Sequence, residues 1–507
     1  MTSIKKGKGG LFSSSKDKFL LKLSEDIPKK KLFRYTRGPP ISTRNIKDKK
    51  LKSNLQLHEK VLKSGAIRAA KWSFLLQEEI GYLEAEDTEK TYKFSQNCIL
   101  EHVDQQTKAK SFDIKLNQFG PYRLNYLRNG RNLIIGGRKG HVAAWDWQSG
   151  KLFCELNLRE TVRDVCWLHN ETLFAVAQKK FAYIYDSTGT EIHILRKHIE
   201  PQRLAFLPYH FLLVSVGSTG FLKYQDVSTG SLVCEHRTSL GKCKVLAQNP
   251  YNAVMCLGHH KGLVTMWTPN ITTPIVKMLC HKGPVTSLAV DQRGLHLVTS
   301  GLDGQMKIWD IRNYKLLYEY FTPTPASCLS LSQTNLLGVS YGPHVQIWKG
   351  AFLSKQQSPY MCELFSGSCI ENIQFAPFED VMGVAHQRGV SSMIVPGSGE
   401  PNFDAFEVNP YQTKKQRQEG EVKMLLEKIP AELITLDPHS ITRLRKSTEE
   451  VLLESKKKEF EANNKTLKFK QKSKKRGKNT SMKRYLRKQK NVLDEKKVIK
   501  VYVEIII

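Results

Sequence analysis

From residue 121 to about 400 the apolar positions come in short runs broken by polar turns. Helices would space them at three to four. In residues 281–321 the runs VTSLAV, LHLVTS, MKIWDI and LLYEYF are separated by DQRG, GLDGQ and RNYK. Four β-rich runs in about forty residues make one propeller blade. The pattern repeats. GHVAAWDWQSG (140–150), KFAYIYDSTG (180–189) and GFLKYQDVSTG (220–230) place Asp146, Asp186 and Asp226 forty residues apart twice over. The frame continues at Trp267-Thr268, Trp309-Asp310 and Trp348-Lys349, and ends in a degenerate copy, GVSSMIVPGSG (389–399). Copies begin near 121, 161, 203, 243, 284, 326 and 371. The fold expected is all-β, a seven-bladed WD-repeat β-propeller. The seventh copy lacks its fourth strand. SFDIKL (111–116) and NFDAFE (402–407) both qualify to supply it, and so to seal the ring's open edges.

Outside the repeats the periodicity changes. Between 47 and 86, Leu55, Val61, Leu62, Ile67, Trp72, Leu75, Leu76 and Ile80 recur at helical spacing, with Gly65 and Gly81 as candidate breaks. EVKMLLEKI (421–429) and TEEVLLESKKKEFEA (448–462) read as helices on either side of an LDP turn. This predicts a basic arm at 1–46, disordered when free, and a helical extension at 47–110. The propeller follows at 111–408, then a helical C-terminal extension at 409–462 and a basic tail at 463–507. The terminal VIKVYVEIII fits either a strand added to a partner's sheet or an aggregation-prone end that something covers.

Charge sharpens this division. Of the 507 residues, 79 are Lys or Arg and 48 Asp or Glu, a formal net charge of +31. Residues 1–70 hold 19 cations against 5 anions, 411–507 hold 27 against 13, and 71–410 hold 33 against 30. Two cationic ends flank a nearly neutral body. Such ends favour a polyanion, because each neutralised phosphate releases condensed counterions. The clusters Lys29-Lys30-Lys31 with Arg34, Lys456-Lys457-Lys458, Lys474-Lys475-Arg476 and Lys483-Arg484 are the candidate RNA-binding residues. Phe33, Tyr35, Phe469 and Tyr485 interleave with them and could stack on bases. The same clusters also suit nuclear import.

Little else points to chemistry. The ten cysteines form no C-x-x-C pair, and several lie inside apolar strands, as expected of reduced core residues. No G-x-x-x-x-G-K-[ST], G-x-S-x-G or H-E-x-x-H occurs, so neither an enzymatic activity nor a cofactor or small-molecule substrate is expected. The start MTSIKKGKGG is unlike a signal peptide, and no apolar run is long enough to span a bilayer, so no membrane association is expected. His281, Ser300, Asp303 and Trp309 could be read as a hydrolytic triad with a bystander. The serine lies within a strand run with no elbow around it, so the four read instead as a structural hydrogen-bonded tetrad within one blade. Trp309-Asp310-Ile311-Arg312 forms W-D-x-R, a tetrapeptide that marks docking to a cullin-type ubiquitin ligase adaptor in some WD-repeat proteins. A substrate receptor of that kind is the alternative function.

KTYKFSQNCI, FDIKLNQFGPYRLNYLRNGRNLIIGGRKGHVAAWDW (112–147) and VPGSGEPNFDAFEVNPYQTKKQRQEGEVKMLLEKIPAELITLDP (395–438) resemble one family. It comprises WD-repeat protein seven of the U-three small nucleolar ribonucleoprotein and its animal counterpart, WD-repeat protein forty-six. FLLQEEIGYLEAEDTEKTYKF (74–94) fits it too. The resemblance runs in order from about 70 to 440, including flanks that no generic propeller shares. It implies a structural subunit of the small-subunit processome, located in the nucleolus. Partners would be pre-rRNA, small nucleolar RNA and other processome proteins.

Overall fold

A computed structural model describes residues 48–73, 80–86, 89–404, 407–438 and 482–492, with isolated positions at 32, 33, 35, 36, 38, 40, 43, 46, 453 and 495. The chain forms two units, residues 71–442 and residues 1–70 with 443–507.

The larger unit holds seven four-stranded antiparallel sheets. Their strands span 122–157, 164–195, 201–237, 243–279, 285–321 and 328–364, and the last sheet takes 370–394 with 113–115. These are blades 1 to 7, each with its first strand innermost. The aspartates of the repeat frame close the third strands: His141–Asp146, Ala182–Asp186, Phe221–Asp226 and Gln305–Asp310. Each then caps the turn to the fourth strand. Asp146 accepts the N–H groups of Gln148 and Ser149 at 3.1 and 3.2 Å, and Asp310 accepts that of Arg312 at 2.9 Å. Short polar side chains that accept from turn N–H groups are a recurrent turn device, and here they mark the end of the third strand.

Of the two candidates for the missing strand, the structure uses SFDIKL. Asp113, Ile114 and Lys115 pair with Ser391, Val390 and Gly389. Phe112, Ile114 and Leu116 pack on Tyr122, Trp145, Trp147 and Val390. The described part of NFDAFE carries no strand. First and last blades are thereby locked by hydrogen bonds between segments some 280 residues apart.

The flanks depart from expectation. Helix α1 runs Lys49–Trp72 without a break at Gly65, and burial is confined to Ala66, Ile67 and Ala70. Val61, Leu62 and Trp72, predicted on its apolar face, are exposed. Residues 80–86 carry no helix, and Leu83 N–H donates to the Tyr360 hydroxyl at 2.7 Å. Short helices follow at Gln96–His102 (α2) and Gln105–Lys108 (α3). The C-terminal helix α4, Lys414–Leu426, starts seven residues before the predicted 421, nucleated by a capping box between Thr413 and Gln416. The predicted helix 448–462 and VIKVYVEIII lie outside the described residues, apart from Leu453, which is helical.

Candidate protein and nucleic-acid interfaces

The strand order gives the propeller two faces. One carries the turns between first and second strands and between third and fourth. The other carries the turns between second and third strands and the links from blade to blade.

The first face is covered by the chain's own extensions. Residues 407–436 cross blades 1 to 4. Glu407 accepts from Arg128 at 3.1 Å and from the Tyr209 hydroxyl. Arg417 pairs with Glu171, and Glu421 accepts from His169 at 2.8 Å and Asn170 at 3.3 Å. Lys428 reaches Asp226 and, at 2.7 Å, Ser228. Burial alone would raise the Asp226 carboxyl, but hydrogen bonds from Lys428 and Ser228 hold it below the ordinary carboxylate range. Asn270 and Asn252 donate to the carbonyls of Glu432 and Leu436 at 2.5 and 2.9 Å. Ile434 is 2% exposed in a cluster with Val254, Met255 and Trp267. Over blades 6 and 7 the N-terminal extension does the same. Gln96 exchanges two hydrogen bonds with the backbone of Ile394, and Lys110 pairs with Glu379 at 2.5 Å. These ion pairs are partly exposed, so each adds little net stability by itself.

The tetrad of blade 5 differs in one residue from the predicted set. Trp309 Nε1–H donates to Thr299 Oγ1 at 3.1 Å, and the Thr299 hydroxyl lies 2.8 Å from His281 Nε2. His281 Nδ1–H in turn donates to Asp303 at 3.1 Å. The hydroxyl in the series is Thr299, not Ser300. Side chains alternate along a strand, so the neighbouring Ser300 faces away and receives the hydroxyl of Thr286 at 3.2 Å. Burial lowers the His281 imidazole below its usual value and Asp303 partly opposes this, so the ring is neutral. Blade 4 repeats the bridge with Trp267 Nε1–H on Thr265 and Thr265 on His259, at 2.8 and 2.6 Å, but without an aspartate. Sequence reasoning missed that copy because its threonine sits on the third strand. Arg312 of the W-D-x-R motif folds back toward Asp310, its Nε 3.4 Å from the carboxylate.

Of the predicted RNA-binding residues, Lys29, Lys30, Lys31, Arg34, Lys456, Lys457, Lys458, Lys474, Lys475 and Arg476 lie outside the described residues. Lys483 and Arg484 are exposed on a helical stretch, 482–492. All ten cysteines are free, and five are buried. Burial pushes the Cys166, Cys243, Cys256 and Cys280 thiols up to about 12, which keeps them protonated and unreactive. No described helix is long and apolar enough to cross a membrane.

Comparison with known proteins matches the covering segment together with blade 7. Residues 359–437 match the BING4CT (NUC141) domain, and 272–310 match the WD domain, G-beta repeat. U3 small nucleolar RNA-associated protein 7 of Saccharomyces cerevisiae is 47% identical over 489 residues, 92% of this chain and 88% of the relative. The chain belongs to this family. Human WD repeat-containing protein 46 is 49% identical over 78% of the chain and 65% of its own length. The Caenorhabditis elegans protein of that name is 43% identical over 76% and 66%. The U3-associated protein 7/WD repeat-containing protein 46 family is thus recognised here by its propeller together with the segment that crosses it.

Proposed function

We propose that the chain is a non-enzymatic scaffold subunit of the small-subunit processome. It acts in nucleolar pre-rRNA processing and small-subunit biogenesis. The propeller docks proteins, and the basic arms at 1–46 and 463–507 contact pre-rRNA and small nucleolar RNA. One observation carries this reading: identity to a protein named for U3 small nucleolar RNA extends over 92% of the chain. It therefore includes the covering segment as well as the blades. The geometry supports a scaffold, since the polar residues that could suggest catalysis are spent on blade closure.

The test is purification of the tagged full chain from cells. U3-type small nucleolar RNA and small-subunit precursor RNA should be enriched, and depletion should reduce mature small-subunit rRNA but not large-subunit rRNA. Absence of both effects would remove the assignment. The role of the arms is tested by deleting 1–46 and 463–507 together. RNA affinity should drop and its dependence on log salt should flatten. An unchanged slope would mean that the arms are not the RNA-binding elements.

A further inference from the structure

The face opposite the covering segment is bare of it, and its charge is one-sided. Its turns and blade-to-blade links hold 12 Lys or Arg against 3 Asp or Glu, whereas the turns of the covered face hold 6 against 4. Eleven of the twelve fall between Arg138 and Lys282, over blades 1 to 4, and the corresponding turns from 302 to 369 contain none. The near-neutral body is therefore polarised, with a basic crescent over the blades whose other side is already occupied.

At the centre of the crescent the channel opens into a recess of about 440 Å³ lined by Arg123, Arg138, Arg163, Lys179, Arg203 and Lys244, with Glu371 as its lining carboxylate. Asp164 and Glu371 lie 3.6 and 3.9 Å from Arg123. Among the described residues, no carboxylate lies within ion-pair distance of the other five. Arg203 turns instead to backbone carbonyls, those of Gln202 at 3.0 Å and Arg163 at 3.5 Å. Burial, and then the neighbouring Arg123, lower its guanidinium to about 10. Six cations around two carboxylates, both of them beside Arg123, leave an excess of positive charge at the channel mouth, an arrangement suited to phosphate.

We infer that this crescent is a second RNA-binding surface, separate from the arms, which grips the sugar-phosphate backbone across blades 1 to 4 with one phosphate seated in the channel mouth. The inference rests on the reading of the chain as an RNA-associated scaffold. An acidic protein segment is the competing ligand. It is disfavoured because protein interfaces bury an apolar centre depleted of charge, and the recess offers only Pro121 and Val162 amid six cations.

The test uses the full chain and a 20-nucleotide single-stranded RNA, with Arg138→Glu, Lys179→Glu and Lys244→Glu combined. The control, Lys151→Glu, Arg293→Glu and Lys355→Glu, changes net charge equally on exposed positions of the covered side. The crescent variant should bind at least about tenfold more weakly, its log-affinity against log-salt slope should fall by about two, and crosslinks to blades 1 to 4 should vanish while arm crosslinks persist. The control should stay close to wild type. Equal loss in both variants, or crosslinks confined to the arms, overturns the crescent. So does a poly-glutamate peptide that displaces crescent crosslinks at lower concentration than RNA does. If wild type binds no RNA at all, the scaffold reading itself falls, which is a different outcome. Should the reversed triple variant melt early, the Gln series at the same positions, with about half the slope change, decides.

Discussion

At the residue scale, the blade-5 series turns on the Thr299 hydroxyl. Thr299 Oγ1 serves two partners, Trp309 Nε1 and His281 Nε2. Thr299→Val keeps the shape and removes both hydrogen bonds. It should cost about 1–3 kcal/mol, because a buried donor and acceptor are left unpaired. Thr299→Ser should restore most of this, and Ser300→Ala should cost less. Urea denaturation of the three variants would show the order, and equal costs at 299 and 300 would contradict the geometry. The tetrad was legible in the residue types His281, Asp303 and Trp309. The hydroxyl was not. A one-residue register choice on a strand decides which face a side chain takes, and in 299–300 both neighbours carry a hydroxyl.

At the scale of elements, the repeat count was readable because six of the seven third strands end in the same local chemistry, an aspartate or tryptophan before a turn, and only Gly389–Ile394 of blade 7 departs from it. Ring closure and the covering segment were not readable in detail. They depend on contacts across the length of the chain, such as Phe112 with Ser392 and Asn252 with Leu436. Two substitutions probe them. Gly389 has φ +154°, and a Cβ there would sit 1.9 Å from the Ile114 carbonyl oxygen. Gly389→Ala should therefore force the closing strand 113–115 away and cost about 2–3 kcal/mol. Hydrogen exchange should show protection lost first at 113–115 and 389–391. Ile434→Ala should cost about 2–4 kcal/mol by cavity formation under the covering segment. Proteolysis of that variant should cut within 407–437 before the blades. Cleavage at blades first would mean that the segment is not held by its apolar anchor.

At the scale of the whole molecule, composition separates cationic ends from a near-neutral body, but a net charge conceals direction. Only the strand order sorts the body's cations by face. The same averaging hides a pH response. Burial lowers His198, His210 and His259 from the ordinary 6.5 to about 4, so all three are neutral in the folded protein at neutral pH. In the unfolded chain they bind protons as pH falls below 6.5, while the folded state resists until about 4. Stability is therefore full above pH 6.5 and declines as pH drops through that window, by up to roughly 3 kcal/mol per histidine at its lower end. Asp226, Asp303 and Asp310, all held below their ordinary value, extend the loss below pH 3.8. Melting temperature measured from pH 8 to 4.5 should be level down to about 6.5 and then fall steeply. His210 has no hydrogen-bond partner at Nδ1 and lies against the covered face. His210→Leu should thus shed one proton's worth of slope without breaking a bond at that atom. A melting curve flat from pH 6.5 to 4.5, or a His210→Leu slope equal to wild type, would show that these rings titrate freely and that the blades open more readily than their packing implies.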